Sequence, residues 1–132
     1  MYINHLAVIV AAVANMIVGA IWYSPALFYN AWKREAGVTD EMISSAKPAK
    51  LYGLGFLAAL IISYNLAAFL GDAETTASWG ATAGFLAGFG FSAMALWAIS
   101  LFELRSAKYF LINGGYVTVA FTVMGFIIGV WR

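Results

Sequence analysis

The side chains of this chain that could do chemistry are few, and those set within its apolar stretches are neutral. Asn15, Ser63, Ser92, Thr118 and Thr122 each stand deep inside an apolar run. An amide or hydroxyl in hydrocarbon needs a hydrogen-bond partner, and the least costly one is a polar group on a facing helix. Asn15, Ser92 and Thr118 share one depth, counted from the same end of their runs, and make an expected buried polar belt. Its first reading is interhelical glue; its second is the lining of a small polar cavity. No ionisable group is deep, since His5 and Glu103 sit at run edges. We read His5, beside Asn4, as an interfacial residue rather than a metal or haem ligand. Glu103 reads as a charge partner of Arg105 and Lys108 at a helix end. There is no Ser/His/Asp set, no carboxylate pair within a run and no phosphate loop. No catalytic residue, cofactor or metal is expected. The usual proton relay or charged coupling site of a transporter is missing too.

The elements that must position these groups are four apolar runs, Ile3–Tyr23, Leu51–Leu70, Trp79–Phe102 and Tyr109–Trp131. All seven Lys/Arg and all six Asp/Glu fall outside them. At about 1.5 Å of rise per residue, each run as a helix reaches roughly 30 Å, the thickness of a bilayer's hydrocarbon core. Helices of a soluble domain keep a wet face and do not sort charge this way. Composition agrees: 64% hydrophobic and 10% charged, against about 45–50% and about 25% in soluble domains. The fold class is therefore an all-α membrane protein, a four-transmembrane-helix bundle forming a single domain over 1–132. The bilayer is its first partner. A net charge of +1 implies no nucleic-acid partner, and zero cysteines exclude disulfides and thiolate chemistry. Ala12-Val13-Ala14 resembles a signal-peptidase site, but the run lacks a basic leader and continues well past it, so it reads as a retained helix.

Orientation follows from the cations. Lys33, Arg34, Lys47 and Lys50 lie between the first two runs, and Arg105 and Lys108 follow the third. The opposite side holds only Arg132, with Asp72 and Glu74. The positive-inside rule places both basic connections in the cytoplasm of a multi-pass cell (inner) membrane protein, with both termini outside. Trp79, Trp131 and Tyr2 mark the outer boundary, and Trp22, Tyr23, Tyr52 and Tyr109 the inner one.

The connection after the first run predicts a short cytoplasmic amphipathic helix over about residues 25–36. Ser24 acts as its cap, Pro25 as its first residue and Gly37 as its stop. Leu27, Phe28, Ala31 and Trp32 share its apolar face, and Lys33 and Arg34 lie opposite, suited to the inner leaflet. Thr39-Asp40-Glu41 opens a second short helix, with acids where the dipole favours them, and Lys47-Pro48 ends it.

Small residues recur every four positions. The third run carries Gly80, Gly84, Gly88 and Ser92, the first Ala7, Ala11, Asn15 and Gly19, the second Gly55, Ala59 and Ser63, and the fourth Gly125 and Gly129. Such stripes let backbones approach closely, which matters where apolar burial cannot drive association. They either close the bundle itself or, for the third-run glycines, form a subunit interface. A faint echo of Ala20–Phe28 in Ala95–Phe102 raises the prospect of two parallel helix-hairpin repeats.

Four segments carry a family resemblance: Asn4-His5-Leu6-Ala7-Val8; Gly19-Ala20-Ile21-Trp22-Tyr23-Ser24-Pro25; Phe110-Leu111-Ile112-Asn113-Gly114-Gly115-Tyr116; and Met124-Gly125-Phe126-Ile127-Ile128-Gly129-Val130-Trp131. In this order, over nearly the whole chain, they resemble domain-of-unknown-function family 1761. The resemblance implies a small four-helix membrane protein found mainly in bacteria, and it carries over no catalytic residue. Its family-typical positions are Trp22, Tyr23, Pro25, Trp32, Asn113, Gly115 and Tyr116, clustered toward the cytoplasmic side.

Two functions lead as expectations, with an enzyme third because the catalytic inventory is nearly empty. The first is a non-enzymatic module that self-associates as a homo-oligomer, or serves as a small subunit of a larger membrane complex. The alternative is a channel, carrier or binding site for a small neutral or apolar ligand such as a lipid, quinone or small solute. A polar groove through the Asn15 level favours the alternative; a filled bundle with an exposed glycine stripe favours the first.

Overall fold

Four helices of this chain start where a side-chain oxygen takes up free backbone N–H groups, and one stops at a glycine. In the computed structural model, which describes residues 1–132, Asn4 opens α1 (His5–Trp22) by accepting from the Leu6 and Ala7 N–H groups at 3.1 and 3.2 Å. A run of turns leads to α2 (Tyr29–Ala36), which ends at Gly37 with φ 71°. There the Val38 N–H reaches back to the Lys33 carbonyl at 3.0 Å, a closure that needs a residue able to adopt positive φ. Thr39 caps the short α3 (Asp40–Ser45). Pro48 is the first residue of α4 (Pro48–Phe69), where its missing N–H costs nothing. Thr76 caps α5 (Ala77–Phe102), and Ser106 caps α6 (Ala107–Val130).

Helices α1, α4, α5 and α6 are long and apolar enough to cross a membrane, the architecture of a multi-pass membrane protein. Their ends fall within one helical turn of the boundaries read from the sequence. The first connector differs at its start. Residues 25–28 form turns rather than the opening of a helix, because the Phe28 and Tyr29 N–H groups bond back to Trp22 and Ser24. The chain thus folds onto the end of α1 before α2 begins.

Helix α6 is the centre of the bundle, with α5 on one side and α1 on the other; α4 packs chiefly on α1. The α5–α6 contact is backbone on backbone. A Cβ added at Gly80 or Gly84 would strike the carbonyls of Gly125 or Phe121, and one at Gly129 would come within 2.6 Å of the Thr76 carbonyl. The third-run glycines therefore close the bundle itself and leave no exposed stripe.

Within α5, residues Leu86–Ala93 form a π-helical segment. Its wider turn moves the packing face by one residue, so that after Gly88 the buried position is Ala93 and not Ser92.

The core is not central along the membrane normal. Val8, Ala11, Leu66, Ala67, Leu70, Met124 and Ile128 form it, in the half nearer the termini. There Ser63 donates to the Val8 carbonyl at 2.8 Å. Arg132 donates to the Leu70 carbonyl at 2.6 Å, and the Tyr2 N–H to Gly71 at 2.9 Å, tying both termini to the α4–α5 loop. Toward the other, basic end, the start of α4 is largely exposed, and the bundle opens between α1 and α4.

Candidate functional site

The last turns of α1 and the first half of α6 build the site. On one side of α1, Trp22 Nε1 donates to the Ile112 carbonyl at 2.9 Å, and the indole covers Gly115, where an added Cβ would lie 2.9 Å from the ring. On the other side, the Tyr23 hydroxyl donates to Asn113 Oδ1 at 2.5 Å. Its ring lies edge-on to Tyr116 at 5.4 Å and to Trp32 of α2 at 5.8 Å. One turn deeper, the Tyr116 hydroxyl donates to Asn15 Oδ1, and its ring passes over Gly19, whose missing side chain leaves it room. Trp22, Tyr23, Trp32, Asn113, Gly115 and Tyr116 are thus brought into one contiguous assembly. Pro25 stands apart from it, exposed on the rim.

Against this assembly lies a groove of about 540 Å³ between α1 and α4. Met16, Gly19 and Ala20 form one wall, Tyr52 of α4 and Tyr29 of α2 the other, and Tyr23 and Tyr116 the floor. No charged side chain lines it. Its chemistry is that of hydroxyls and aromatic faces: it can accept and donate hydrogen bonds and cover apolar surface.

The buried polar belt is not a unit. Asn15 is buried, but its partner is Tyr116, not Ser92 or Thr118. The Thr118 hydroxyl is taken by the Gly114 carbonyl of its own helix at 2.8 Å. Ser92 lies on α5, beyond α6 from α1, and the π segment has turned it off the packing face. Equal depth placed these residues at one level without fixing which faces met.

Other expectations meet different partners. His5 Nδ1 lies 2.9 Å from the Tyr64 hydroxyl at an exposed edge. Glu103 makes no ion pair with Arg105 or Lys108; the ion pairs of the chain are Lys33–Asp40 and Arg34–Glu35. Arg105 instead stacks over Tyr109 at 5.3 Å and donates to the Ala36 carbonyl at 3.3 Å. Ser106 donates to Glu35 Oε1 at 2.6 Å. These two bonds fasten α2 to the α5–α6 turn. The Ser106 bond holds the Glu35 carboxyl below the usual glutamate range; desolvation opposes it, and Arg34 and Lys108 add smaller contributions in the same direction as Ser106. The hydrogen bond from Lys33 to Asp40 raises the lysine above its ordinary value. Trp22 and Trp97, which anchor the sequence echo, do unlike work, since Trp97 only packs on Phe110 at 5.8 Å.

Sequence reasoning missed the groove walls. Tyr29 and Tyr52 carry no signal beyond an interfacial position. Gly19, four residues after Asn15 on the same stripe, was the available clue that a large ring sits opposite.

A family model described as protein of unknown function (DUF1761) matches residues 6–129, almost the whole chain. The chain belongs to DUF1761. The DUF1761 match spans both the α1 end and the α6 segment that build the groove floor, and so covers the site as well as the fold. Neither a curated protein nor a solved structure is found to match the chain.

Proposed function

We propose that this DUF1761 member is a membrane-embedded binding protein that holds a lipid-like molecule in the groove between α1 and α4. The groove carries the reading. Its volume of about 540 Å³ lies within the roughly 300–1,000 Å³ of ligand sites. The walls are apolar and aromatic, and the hydroxyls of Ser24, Tyr29 and Tyr52 at its mouth make no bond within the chain. The part of the ligand inside is therefore uncharged and able to exchange hydrogen bonds with hydroxyls. Hydroxyls and amides without an activating base bind rather than catalyse, so the role is non-enzymatic. With Lys33, Lys47, Lys50 and Lys108 at this end, the positive-inside rule puts the mouth on the cytoplasmic side and both termini outside.

Self-association, or a place as a subunit in a larger assembly, is the second reading. It draws on Gly53 of α4 and Gly90 of α5, where an added Cβ would meet nothing within 4 Å and a second helix could approach.

Native mass spectrometry of protein extracted from its own membrane in mild detergent tests the first reading. Wild type retains a non-protein mass. Ala20→Trp, which fills the groove from an exposed wall position, loses it. A wild type that carries nothing, or an added mass indifferent to Ala20→Trp, contradicts the proposal.

A further inference from the structure

A second groove adjoins the first. It lies between α2, α3 and the start of α4, has a volume of about 530 Å³, and shares Tyr29 and Tyr52 with its neighbour. Its other walls include Val38, Met42, Ile43 and Leu51, and eight of its nine lining residues are hydrophobic. Six of its nine lining residues belong to the connector outside the membrane-spanning segments, where open apolar surface is costly, and Pro48, Leu51 and Tyr52 belong to the first turns of α4. Yet Met42 is 55% exposed and Leu51 58%, so the chain itself does not cover it. Beside it stand two cations without counter-ions. Lys47 and Lys50 flank Pro48 and Leu51 of the groove wall, are exposed, and belong to neither ion pair of the chain.

We propose that the ligand is an anionic glycerophospholipid with two acyl chains, one in each groove. This rests on the reading of the first groove as a ligand site and extends it. The two grooves are of nearly equal volume and meet at Tyr29 and Tyr52, as the chains of such a lipid meet at its glycerol. The hydroxyls of these tyrosines face the uncharged ester groups. The phosphate falls outside both apolar arms, where Lys47 and Lys50 supply charge of the right sign. A single-chain amphiphile would leave the second groove open; a two-chain lipid without net charge would leave both lysines unmatched.

The test is native mass spectrometry of the delipidated protein with equimolar diacyl phosphatidylglycerol and its single-chain lyso form. Each buried methylene is worth roughly fourfold in affinity, so even a partly buried second chain gives a preference above about tenfold for the diacyl lipid. Ile43→Glu, which puts a charge in the second groove alone, reduces diacyl binding to the lyso level and leaves lyso binding unchanged. Lys47→Ala with Lys50→Ala removes the preference for phosphatidylglycerol over phosphatidylcholine. Equal binding of diacyl and lyso forms by wild type, or Ile43→Glu without effect, overturns the two-chain assignment. Ala20→Trp separates the two proposals: its loss of both lipids supports the first groove whatever Ile43→Glu does, and its indifference sinks the first groove.

Discussion

The Tyr116 hydroxyl donates to the Asn15 side-chain carbonyl, joining α6 to α1 at the level where the bundle passes from closed to open. On the terminal side of this bond lie Val8, Ala11, Leu66 and Met124, buried together in the core. On the basic side lies the groove, with Tyr116 as part of its floor. The bond is therefore both the deepest interhelical polar contact on α1 and the boundary of the proposed site.

Tyr116→Phe keeps the ring and removes the donor, leaving the buried Asn15 carbonyl unpaired. Interhelical hydrogen bonds in membranes are worth about 0.6 to 2 kcal/mol, so a small fall in thermal midpoint in detergent is expected, with insertion intact. A midpoint equal to wild type would show that Asn15 finds another donor.

Gly84→Leu has a much larger effect. The added side chain meets the backbone carbonyl of Phe121, which no rotamer change can clear, so the cost exceeds the about 1–3 kcal/mol of ordinary overpacking. The variant should be recovered in low yield or as aggregate on size exclusion. Gly90→Ala, in the same helix but facing open space, should stay within about 1 kcal/mol of wild type. Similar behaviour of the two variants would refute the α5–α6 packing.

Much of this fold is legible in the sequence because a bilayer imposes strong constraints. Charge exclusion marks the spans, and Thr39 marks where α3 begins, whereas the caps Asn4, Thr76 and Ser106 emerge only from the structure. Gly80, Gly84 and Gly88 announce close packing, but not the partner, which only the neighbour order α5–α6–α1–α4 decides. The polar belt failed for a related reason. Residue count gives depth along an axis, while the meeting of side chains depends on helix rotation, and the π segment of α5 adds a phase shift that no residue type near Gly88 or Ser92 declares. The groove was invisible because it arises from the exposed start of α4, and Tyr52 and Tyr29 look the same in sequence whether they face lipid or a site.

Topology is checked by labelling. The chain has no native cysteine, so a single Lys108→Cys reports alone. An impermeant thiol reagent added to intact cells should leave it unmodified and should react once the inner face is opened. Modification from outside would reverse the orientation and place the groove mouth on the other surface.

The Glu35 part of the fastening of α2 should depend on pH, while the Arg105 bond to the Ala36 carbonyl should not. Glu35 is held below the ordinary glutamate range chiefly by the Ser106 hydroxyl. A depressed acid contributes its tether fully above the unperturbed value and loses it as pH falls through the lowered one. Spin labels on Asn30→Cys and Phe102→Cys, both exposed positions, should show a narrow distance distribution at neutral pH that broadens in acid. Glu35→Gln should be pH-independent over that range. A wild-type distribution unchanged in acid would remove Glu35 as a tether.

The most direct test of the central claim is a high-resolution map of the wild-type protein in lipid nanodiscs made from its native membrane. The account predicts elongated non-protein density in the groove between α1 and α4, ending against Tyr116 and touching Tyr23 and Tyr52. A groove closed by inward movement of α4, or filled by a helix of a second copy, would contradict it.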